Sequence, residues 1–402
     1  MLNQIGIEIA NNVVLTAPKK VTLIDDSYVD SGDRNKNWLF KDDFVNRKKA
    51  QVYAQELQTL HPFTEIVGEP KNVMEDTSVI KSADVVIVCG EYNVEYIKEI
   101  NKLCQANRAG FILVNSVGTQ GHIFVDYTSL KVYDKYDNGV QNNFYIRDIS
   151  NEKAGKVTIS SMHPHSWQDG DFVCISEVEG MSEVNGIEAR PIKVIDQYSF
   201  TIENTAKYGK YKRGGVVTYV KVPKRVNFCT FEENMQKPVF ARKNENPMYS
   251  QLELHIATLL YYDMYDRRIK KETNYLDLTK LEHKLDSIVL DLTETNEPVM
   301  NLFRDNNIEN FKVIAALKDI IRYEKLHMPS LIKFVASIAA FQFIPASGKF
   351  MPIVQTVYFN FSNEFPQEFF QAFLKDTQNP LTHYFENNAE FNQNIRDATN
   401  LK

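Results

Sequence analysis

Of the four cysteines (Cys89, Cys104, Cys174 and Cys229), two are candidates for covalent chemistry. Cys229 directly precedes Thr230, and Cys174 alternates with Phe172 and Ser176 in a strand-like segment. A thiol becomes a nucleophile when a helix N-terminus or a nearby cation lowers its pKa. Both positions favour a packed thiol instead, since one follows a predicted strand and the other lies inside one. We therefore predict no catalytic residue, and because no CxxC pair occurs we predict free thiols in a reducing compartment.

A His-Pro-His sequence at His163–His165 could suggest a metal site. Zinc needs three or four ligands in a fixed geometry, and no Cys or His follows at a suitable spacing. We predict a surface turn here and no metal. A Ser–His–Asp arrangement stays open, although no GxSxG elbow is present.

The first ten residues lie where a phosphate-binding loop would join a strand to a helix. Such a loop needs glycines, because the backbone must turn tightly and approach the phosphates. Only Gly6 remains, and Asn3 and Gln4 occupy positions of close approach. We predict that this chain alone binds no nucleotide cofactor.

The elements that would position these groups alternate over the first 145 residues. Helical spacing covers residues 5–14, 46–60 and 94–106, and buried-strand patterns cover residues 21–24, 83–89 and 110–116. Continuous apolar strands alternating with helices are typical of a parallel sheet. The pattern predicts a doubly wound α/β domain.

Beyond Phe144 the pattern changes twice. Short alternating segments at 156–160, 171–177, 190–195, 198–202 and 216–222 predict a small antiparallel barrel. Helical periodicity over 250–327 predicts a helical bundle. A helix at 331–344 and a strand at 351–359 would then return the chain to the α/β sheet.

The composition excludes several classes of protein. Hydrophobic residues at 43% and charged residues at 24% give a globular balance, and 402 residues predict two or three domains. A net charge of −6 argues against nucleic-acid binding. No secretory signal is visible, and no stretch reaches the roughly 20 apolar residues of a membrane span.

Long motifs in the barrel region resemble the eukaryotic ubiquitin-activating enzymes. Residues 169–181 read DGDFVCISEVEGM, and Asn185 and Gly186 follow, which is similar to the family's GDFVxFSEVxGMxxLNG signature. Residues 198–202, 213–217 and 221–224 are similar to the closing strands of the same module. In the family this module is called the first catalytic cysteine half-domain, and the catalytic cysteine lies elsewhere.

The resemblance extends to both sides of the barrel. Residues 6–12 and 21–26 resemble the start of the family's inactive adenylation domain, and residues 347–353 resemble its SGKFxP segment. The match is weakest over 250–327. The resemblance implies a Rossmann-like, ThiF/MoeB-type pseudo-adenylation domain with an inserted antiparallel β-barrel and an inserted helical bundle.

The departures from the family bear on activity. Residues 35–40 read NKNWLF where an active adenylation domain has an Asn-Arg-Gln-Phe motif for the ATP phosphates. Thr382-His383-Tyr384 resembles the arm that introduces the active domain, with His383 in place of arginine. We expect the ATP site, the catalytic-cysteine domain and the ubiquitin-fold domain to lie outside this chain, so that MgATP is a cofactor of the complete enzyme only.

The resemblance implies five segments and a role. The inactive adenylation domain would occupy 1–145, the β-barrel 146–226, the helical bundle 227–327, the return segment 328–380 and a linker 381–402. The chain would be the non-catalytic half of an ATP-dependent ubiquitin-activating enzyme, in the cytoplasm and nucleus. Its partners would be ubiquitin or a ubiquitin-like protein and an active adenylation half.

Four residues of the barrel are candidates for contact with ubiquitin, since the module forms one wall of the ubiquitin-binding canyon in the family. They are Asp169, Ser176, Glu177 and Glu179. Ordinary strand-edge positions are the alternative interpretation of these four residues.

Two alternatives stay open. A free-standing degenerate scaffold would bind ubiquitin or an active half without catalysis. A nucleotide-dependent oxidoreductase would use Asp25 or Asp26 to bind a ribose, but it lacks the glycine-rich loop.

An apolar cluster in the return segment predicts association. Phe334, Ile338, Phe341, Phe343 and Phe350 lie close in sequence, and an exposed patch of this kind usually marks an interface. We expect the chain alone to self-associate.

Overall fold

A computed structural model describes residues 2–34, 37–132, 143–160, 162–240, 249–270, 295–322, 329–343 and 355–360. The chain divides into two compact units. Unit 1 combines Met1–Leu130 with Asn227–Lys402, and unit 2 is Lys131–Val226. The domain boundaries predicted from the sequence stay a prediction.

The described helices and strands follow one another along the chain. The helices are α1 (Gln4–Val14), α2 (Lys49–Leu60), α3 (Ser78–Lys81), α4 (Val94–Asn107), α5 (Phe231–Gln236), α6 (Gln251–Ile269), α7 (Glu297–Asn306), α8 (Asn310–Arg322) and α9 (Pro329–Phe343). The strands before residue 150 are β1 (Lys20–Ile24), β2 (Glu65–Glu69), β3 (Val85–Cys89), β4 (Gly110–Val117), β5 (Gln120–Asp126), β6 (Ser129–Val132) and β7 (Asn143–Ile149). The later strands are β8 (Lys156–Ile159), β9 (Phe172–Glu179), β10 (Gly186–Pro191), β11 (Lys193–Asp196), β12 (Ser199–Thr201), β13 (Arg213–Val220), β14 (Lys224–Asn227) and β15 (Thr356–Asn360).

A four-stranded sheet with the order β15-β5-β4-β3 organises unit 1. Only β3 and β4 are parallel, whereas β5 and β15 run antiparallel to their neighbours. Successive side chains of a β-strand point to opposite faces of the sheet. On β4, Phe111 and Leu113 enter one core with α4 and α6, while Ile112 and Val114 enter another with α1 and α9. The sheet is therefore covered by helices on both faces.

The apolar cluster of the return segment lies mostly inside this core. Phe334 and Ile338 of α9 are buried against α1 and the sheet. Phe343 is half-buried, and the side chains of Phe341 and Phe350 lie outside the described residues. The expectation that Phe334 and Ile338 form an exposed edge is wrong, because α9 uses them to cover its own sheet.

A separate parallel pair, β1 and β2, packs with α2 around a third core in unit 1. The two parallel pairs belong to different sheets, so the predicted doubly wound arrangement is divided. Helix α2 begins at Lys49, because Asn46 adopts a left-handed conformation with φ 66°. A residue in that conformation cannot continue a right-handed helix.

Unit 2 is an antiparallel, curled sheet with the order β10-β9-β13-β7-β8-β12-β11. Its core contains Trp167, Val173, Ile175 and Phe200. The segment predicted as one strand over 190–195 forms two, β10 and β11, with buried Ile192 between them. Pro191 explains the break, since proline cannot donate to a ladder and terminates pairing.

The predicted fold class is confirmed. The chain is a mixed α/β protein with several sheets, and a curled antiparallel unit is inserted between the two parts of unit 1. Helices α5 to α8 lie in the second part of unit 1, before α9 and β15. The predicted return to the sheet is also found, because β15 pairs with β5. Among the described residues, no helix combines the length and apolarity needed to cross a bilayer.

Candidate functional site

The N-terminus of α1 is capped by the chain itself. Asn3 is the N-cap, and its Oδ1 accepts from the backbone N–H of Gly6 at 3.1 Å. The same side chain lies against Gly90, where a Cβ would approach Asn3 Nδ2 to 1.9 Å. Gly90 is required there, since it has φ 63° and no room for a side chain. Asn3 thus satisfies a donor that a phosphate would otherwise use.

The carboxylate of Asp25, at the end of β1, is also used internally. It accepts from the backbone N–H of Leu2 and from both the N–H and the hydroxyl of Ser27. Burial alone would raise the pKa of Asp25, but these hydrogen bonds outweigh it and lower the pKa below its usual value. A ribose hydroxyl would have to reach a buried carboxylate that already accepts three hydrogen bonds, which counts against the oxidoreductase alternative. Positions 35 and 36 of the NKNWLF stretch lie outside the described residues.

The thiol of Cys229 is poorly suited to attack. Burial, followed by the charge of Glu233, raises its pKa to about 11, which keeps it protonated near neutral pH. Burial likewise raises the pKa of Cys89 to about 11 and that of Cys104 to about 12. Cys174 lies on β9, with its Sγ 3.1 Å from the carbonyl oxygen of Ile187.

The two histidines of the His-Pro-His sequence have different environments. His163 is exposed, whereas His165 is buried and stacks on Trp167 with ring centroids 4.8 Å apart. Burial lowers the pKa of His165. The described parts of the chain contain no group of three His, Cys, Asp or Glu side chains placed to hold a metal ion.

The four predicted contact residues are all exposed in unit 2. Ser176, Glu177 and Glu179 lie together on β9. Asp169 precedes that strand, and its Oδ1 accepts from the backbone N–H of Val194 at 2.7 Å. Glu179 forms a two-point ion pair with Arg213, at 2.8 and 3.2 Å, which lowers the pKa of this carboxyl.

The backbone at Glu177 explains how its carboxylate reaches solvent. Residues 173 and 175 point inward, so strict alternation would bury Glu177 as well. Instead Glu177 has φ 62°, and the inward position passes to Val178. On the partner strand Gly214 has φ 75°, and a Cβ there would approach the carbonyl oxygen of Glu177 to 2.8 Å. The left-handed backbone of Glu177, a non-glycine residue, is strained and costs on the order of 1 kcal/mol or more.

Apolar side chains that the sequence analysis missed lie beside these residues. The register aligns Tyr145 on β7, Val216 on β13 and Ser176 on β9, so their side chains share one side of the sheet. Tyr145 is 73% exposed and Ile187 on neighbouring β10 is 97% exposed. We call this surface the outer face, defined by Tyr145, Ser176, Glu177, Ile187 and Val216. In the sequence Phe144-Tyr145-Ile146, the first and third residues pack on the core of unit 2, so the side chain between them must face solvent. This alternation is the signal that could have revealed Tyr145.

Comparison with known families gives a match within unit 2. Residues 152–221, which lie within unit 2, match the family described as the ubiquitin-activating enzyme E1 FCCH domain.

Curated relatives match over most of the chain. The chain is 25% identical over 373 residues to ubiquitin-like modifier-activating enzyme 1 of Homo sapiens, covering 91% of this chain and 34% of that protein. It is 28% identical over 378 residues to ubiquitin-activating enzyme E1 1 of Arabidopsis thaliana, covering 91% and 33%. The predicted resemblance is confirmed, and the chain spans about a third of the length of these relatives.

A solved structure also matches in part. It is the crystal structure of E. coli MccB with MccA-N7isoASN, with 19% identity and a TM-score of 0.28, covering 31% of this chain and 37% of that one. A match at this level carries no argument about function.

Proposed function

We propose that this chain is the non-catalytic half of an ATP-dependent ubiquitin-activating enzyme. In this proposal unit 1 buttresses an active adenylation half, and unit 2 presents its outer face to ubiquitin or a ubiquitin-like protein. The observation that carries the proposal is the outer face itself, exposed on the unit that matches the E1 FCCH family.

The outer face has the composition of a binding surface. Tyr145 and Ile187 offer apolar side chains, and tyrosine in particular is enriched at the centres of interfaces. Among the residues that the structure describes, the carboxylate of Glu177 has no ion-pair partner, whereas the carboxylate of Glu179 is neutralised by Arg213. A partner surface that combines an apolar patch with a basic side chain would complement this arrangement.

Two hydrogen-bonded residues of unit 1 support the proposal that this half is not catalytic. Asn3 and Asp25, which stand at the phosphate and ribose positions of a nucleotide site, are bonded to the chain itself. MgATP would then bind in the active half. Isothermal titration of this chain with MgATP should give no saturable heat, and saturable binding in the low micromolar range would contradict this part of the proposal.

Binding of the partner can be tested with matched variants. Ile187→Ser removes an apolar side chain that is 97% exposed on the outer face, and Phe63→Ser removes one that is 95% exposed in unit 1. Neither residue contributes to a core, so both variants should fold. If Ile187 is a central contact, Ile187→Ser should weaken ubiquitin binding by about tenfold or more. Equal losses in both variants, or no loss in either, would contradict the proposed surface.

A second candidate is the free-standing scaffold, and one observation favours it. Burial of Phe334 and Ile338 removes part of the apolar edge expected of an obligate interface. The scaffold would bind ubiquitin without pairing with an active half. Sedimentation velocity distinguishes the two, since a discrete complex with a supplied active half supports the enzyme and a persistent monomer supports the scaffold.

A further inference from the structure

Four buried, hydrogen-bonded residues join α6 to the central sheet of unit 1, and we call this group the seam: Gln120, His122, Thr258 and Tyr262. Gln120 and His122 are two apart on β5, so their side chains leave the same face of the strand. Thr258 and Tyr262 are four apart on α6 and also share one face. The spacings match, because four helical residues rise about 6 Å and two strand residues span nearly the same distance. All four residues are buried.

The donors and acceptors of the seam can be assigned by starting from backbone groups whose roles are fixed. Asn115 Oδ1 accepts from the N–H of Glu91 at 3.1 Å, so its amide nitrogen is the donor to Tyr262 Oη at 2.7 Å. The Tyr262 hydroxyl then has its own proton for His122 Nδ1, 3.0 Å away. A neutral imidazole that accepts at Nδ1 must carry its proton on Nε2. His122 is neutral at physiological pH, since burial lowers its pKa to about 3.

The amide of Gln120 is fixed in a similar way. Its Nε2 donates to Thr258 Oγ1 at 2.7 Å, while the Thr258 hydroxyl donates to the carbonyl oxygen of Leu254 at 2.8 Å. Gln120 Oε1 is therefore a free acceptor. Among the described residues, neither Gln120 Oε1 nor His122 Nε2 has a hydrogen-bond partner. The seam thus contains one unpaired donor and one unpaired acceptor.

Both residues line the same small cavity, together with Thr258 and Tyr262. Leaving a buried donor and a buried acceptor unpaired would cost about 1–3 kcal/mol for each group. A small neutral molecule that both accepts and donates would satisfy the pair, and the cavity has space on the scale of one water molecule. A charged ligand is disfavoured, because the histidine beside it is neutral and the surroundings are buried.

We infer that this cavity is a binding site for a single structural water, which accepts from His122 Nε2 and donates to Gln120 Oε1. The water completes a chain of hydrogen bonds from Thr258 through Gln120, the water and His122 to Tyr262. Because Thr258 and Tyr262 are both on α6, the helix closes this chain into a ring. The ring fastens the inserted helix α6 to the sheet at two points one helical turn apart. This site is independent of the outer face of unit 2 and of nucleotide chemistry.

The most direct test is NMR on the full chain with labelled histidine. The Nε2–H proton of His122 should exchange slowly and show a cross-relaxation peak to a long-lived water. In Gln120→Met, which keeps the length of the side chain but removes the acceptor, that peak should be lost while the amide spectrum retains its dispersion. Absence of the peak in the unmodified chain, or its persistence unchanged in Gln120→Met, would overturn the inference.

A high-resolution crystal structure gives an answer that does not depend on a variant. The inference expects one ordered water within hydrogen-bonding distance of both His122 Nε2 and Gln120 Oε1. A dry cavity, or a protein group bonded to His122 Nε2, would overturn it.

Discussion

The two units use their polar residues in opposite ways. In unit 1, Asn3, Asp25 and His122 are hydrogen-bonded to other parts of the same unit. In unit 2, Tyr145 and Glu177 are left in solvent. These polar groups of unit 1 are thus bonded within the fold, whereas those of unit 2 remain exposed, as the proposed partner-binding role requires.

This contrast separates two kinds of mutational effect. A buried polar group that loses its partner costs about 1–3 kcal/mol of stability, whereas most exposed substitutions change stability by about 0.5 kcal/mol or less. Substitutions in the seam of unit 1 should therefore reduce stability. Substitutions on the outer face of unit 2 should reduce binding.

The largest expected effect is on the pH dependence of unit 1. Burial lowers the pKa of His122 to about 3 and that of His255 to about 4. The unfolded chain takes up these protons below pH about 6.5, whereas the folded chain does not. The contribution of the two neutral histidines to stability is thus fully present above that pH. It is lost as the pH falls towards their pKa values in the folded chain. From pH 7 to pH 5 each histidine should cost about 2 kcal/mol, or about 4 kcal/mol together.

Urea unfolding at the two pH values measures this loss. The variant His122→Gln removes one titrating group and serves as the control, so its loss between pH 7 and pH 5 should be smaller than that of the parent by about 2 kcal/mol. An identical pH dependence in parent and variant would show that His122 is not held neutral.

The next effect compares two tyrosines. Tyr262→Phe deletes a buried hydroxyl that bonds both Asn115 and His122, and it should destabilise the chain by about 1–3 kcal/mol. Tyr145→Phe deletes a hydroxyl that is exposed in unit 2, and it should change stability by about 0.5 kcal/mol or less. Denaturant midpoints of the two variants decide the matter, and equal shifts would remove the distinction between the units.

The smallest effect concerns the strained residue of the outer face. Glu177→Gly places glycine at φ 62°, and relief of the strain should stabilise unit 2 by about 0.5–1 kcal/mol. The same change removes the free carboxylate, so ubiquitin binding should weaken. A variant that is both more stable and equally able to bind would show that the strain at Glu177 does not serve binding.

Much of the fold could be predicted from the sequence where the local pattern agrees with the tertiary environment. The continuous apolar run over residues 110–116 predicts a strand buried on both faces, and β4 covers Gly110–Val117. The strands β5 and β7 were missed. Residues 120–126 include Gln120, His122 and Asp126, which are buried but polar, so hydropathy alone could not identify a central strand.

The candidate site was predictable only in part. The motif over 169–181 directed attention to Ser176, Glu177 and Glu179, which share β9. Tyr145 and Ile187 join them through strand pairing across β7, β13, β9 and β10. Register between strands distant in sequence is set by long-range packing, which no local pattern encodes.

One measurement tests the central claim most directly, namely that unit 2 presents the partner-binding surface. Isoleucine methyl groups of the full chain can be labelled and followed while unlabelled ubiquitin is added. The account predicts that the methyl resonance of Ile187 shifts with saturation, while those of Ile66 and Ile112 in the cores of unit 1 do not. Saturable shifts confined to unit 1, or no shift at Ile187 under conditions where ubiquitin binds, would contradict the account.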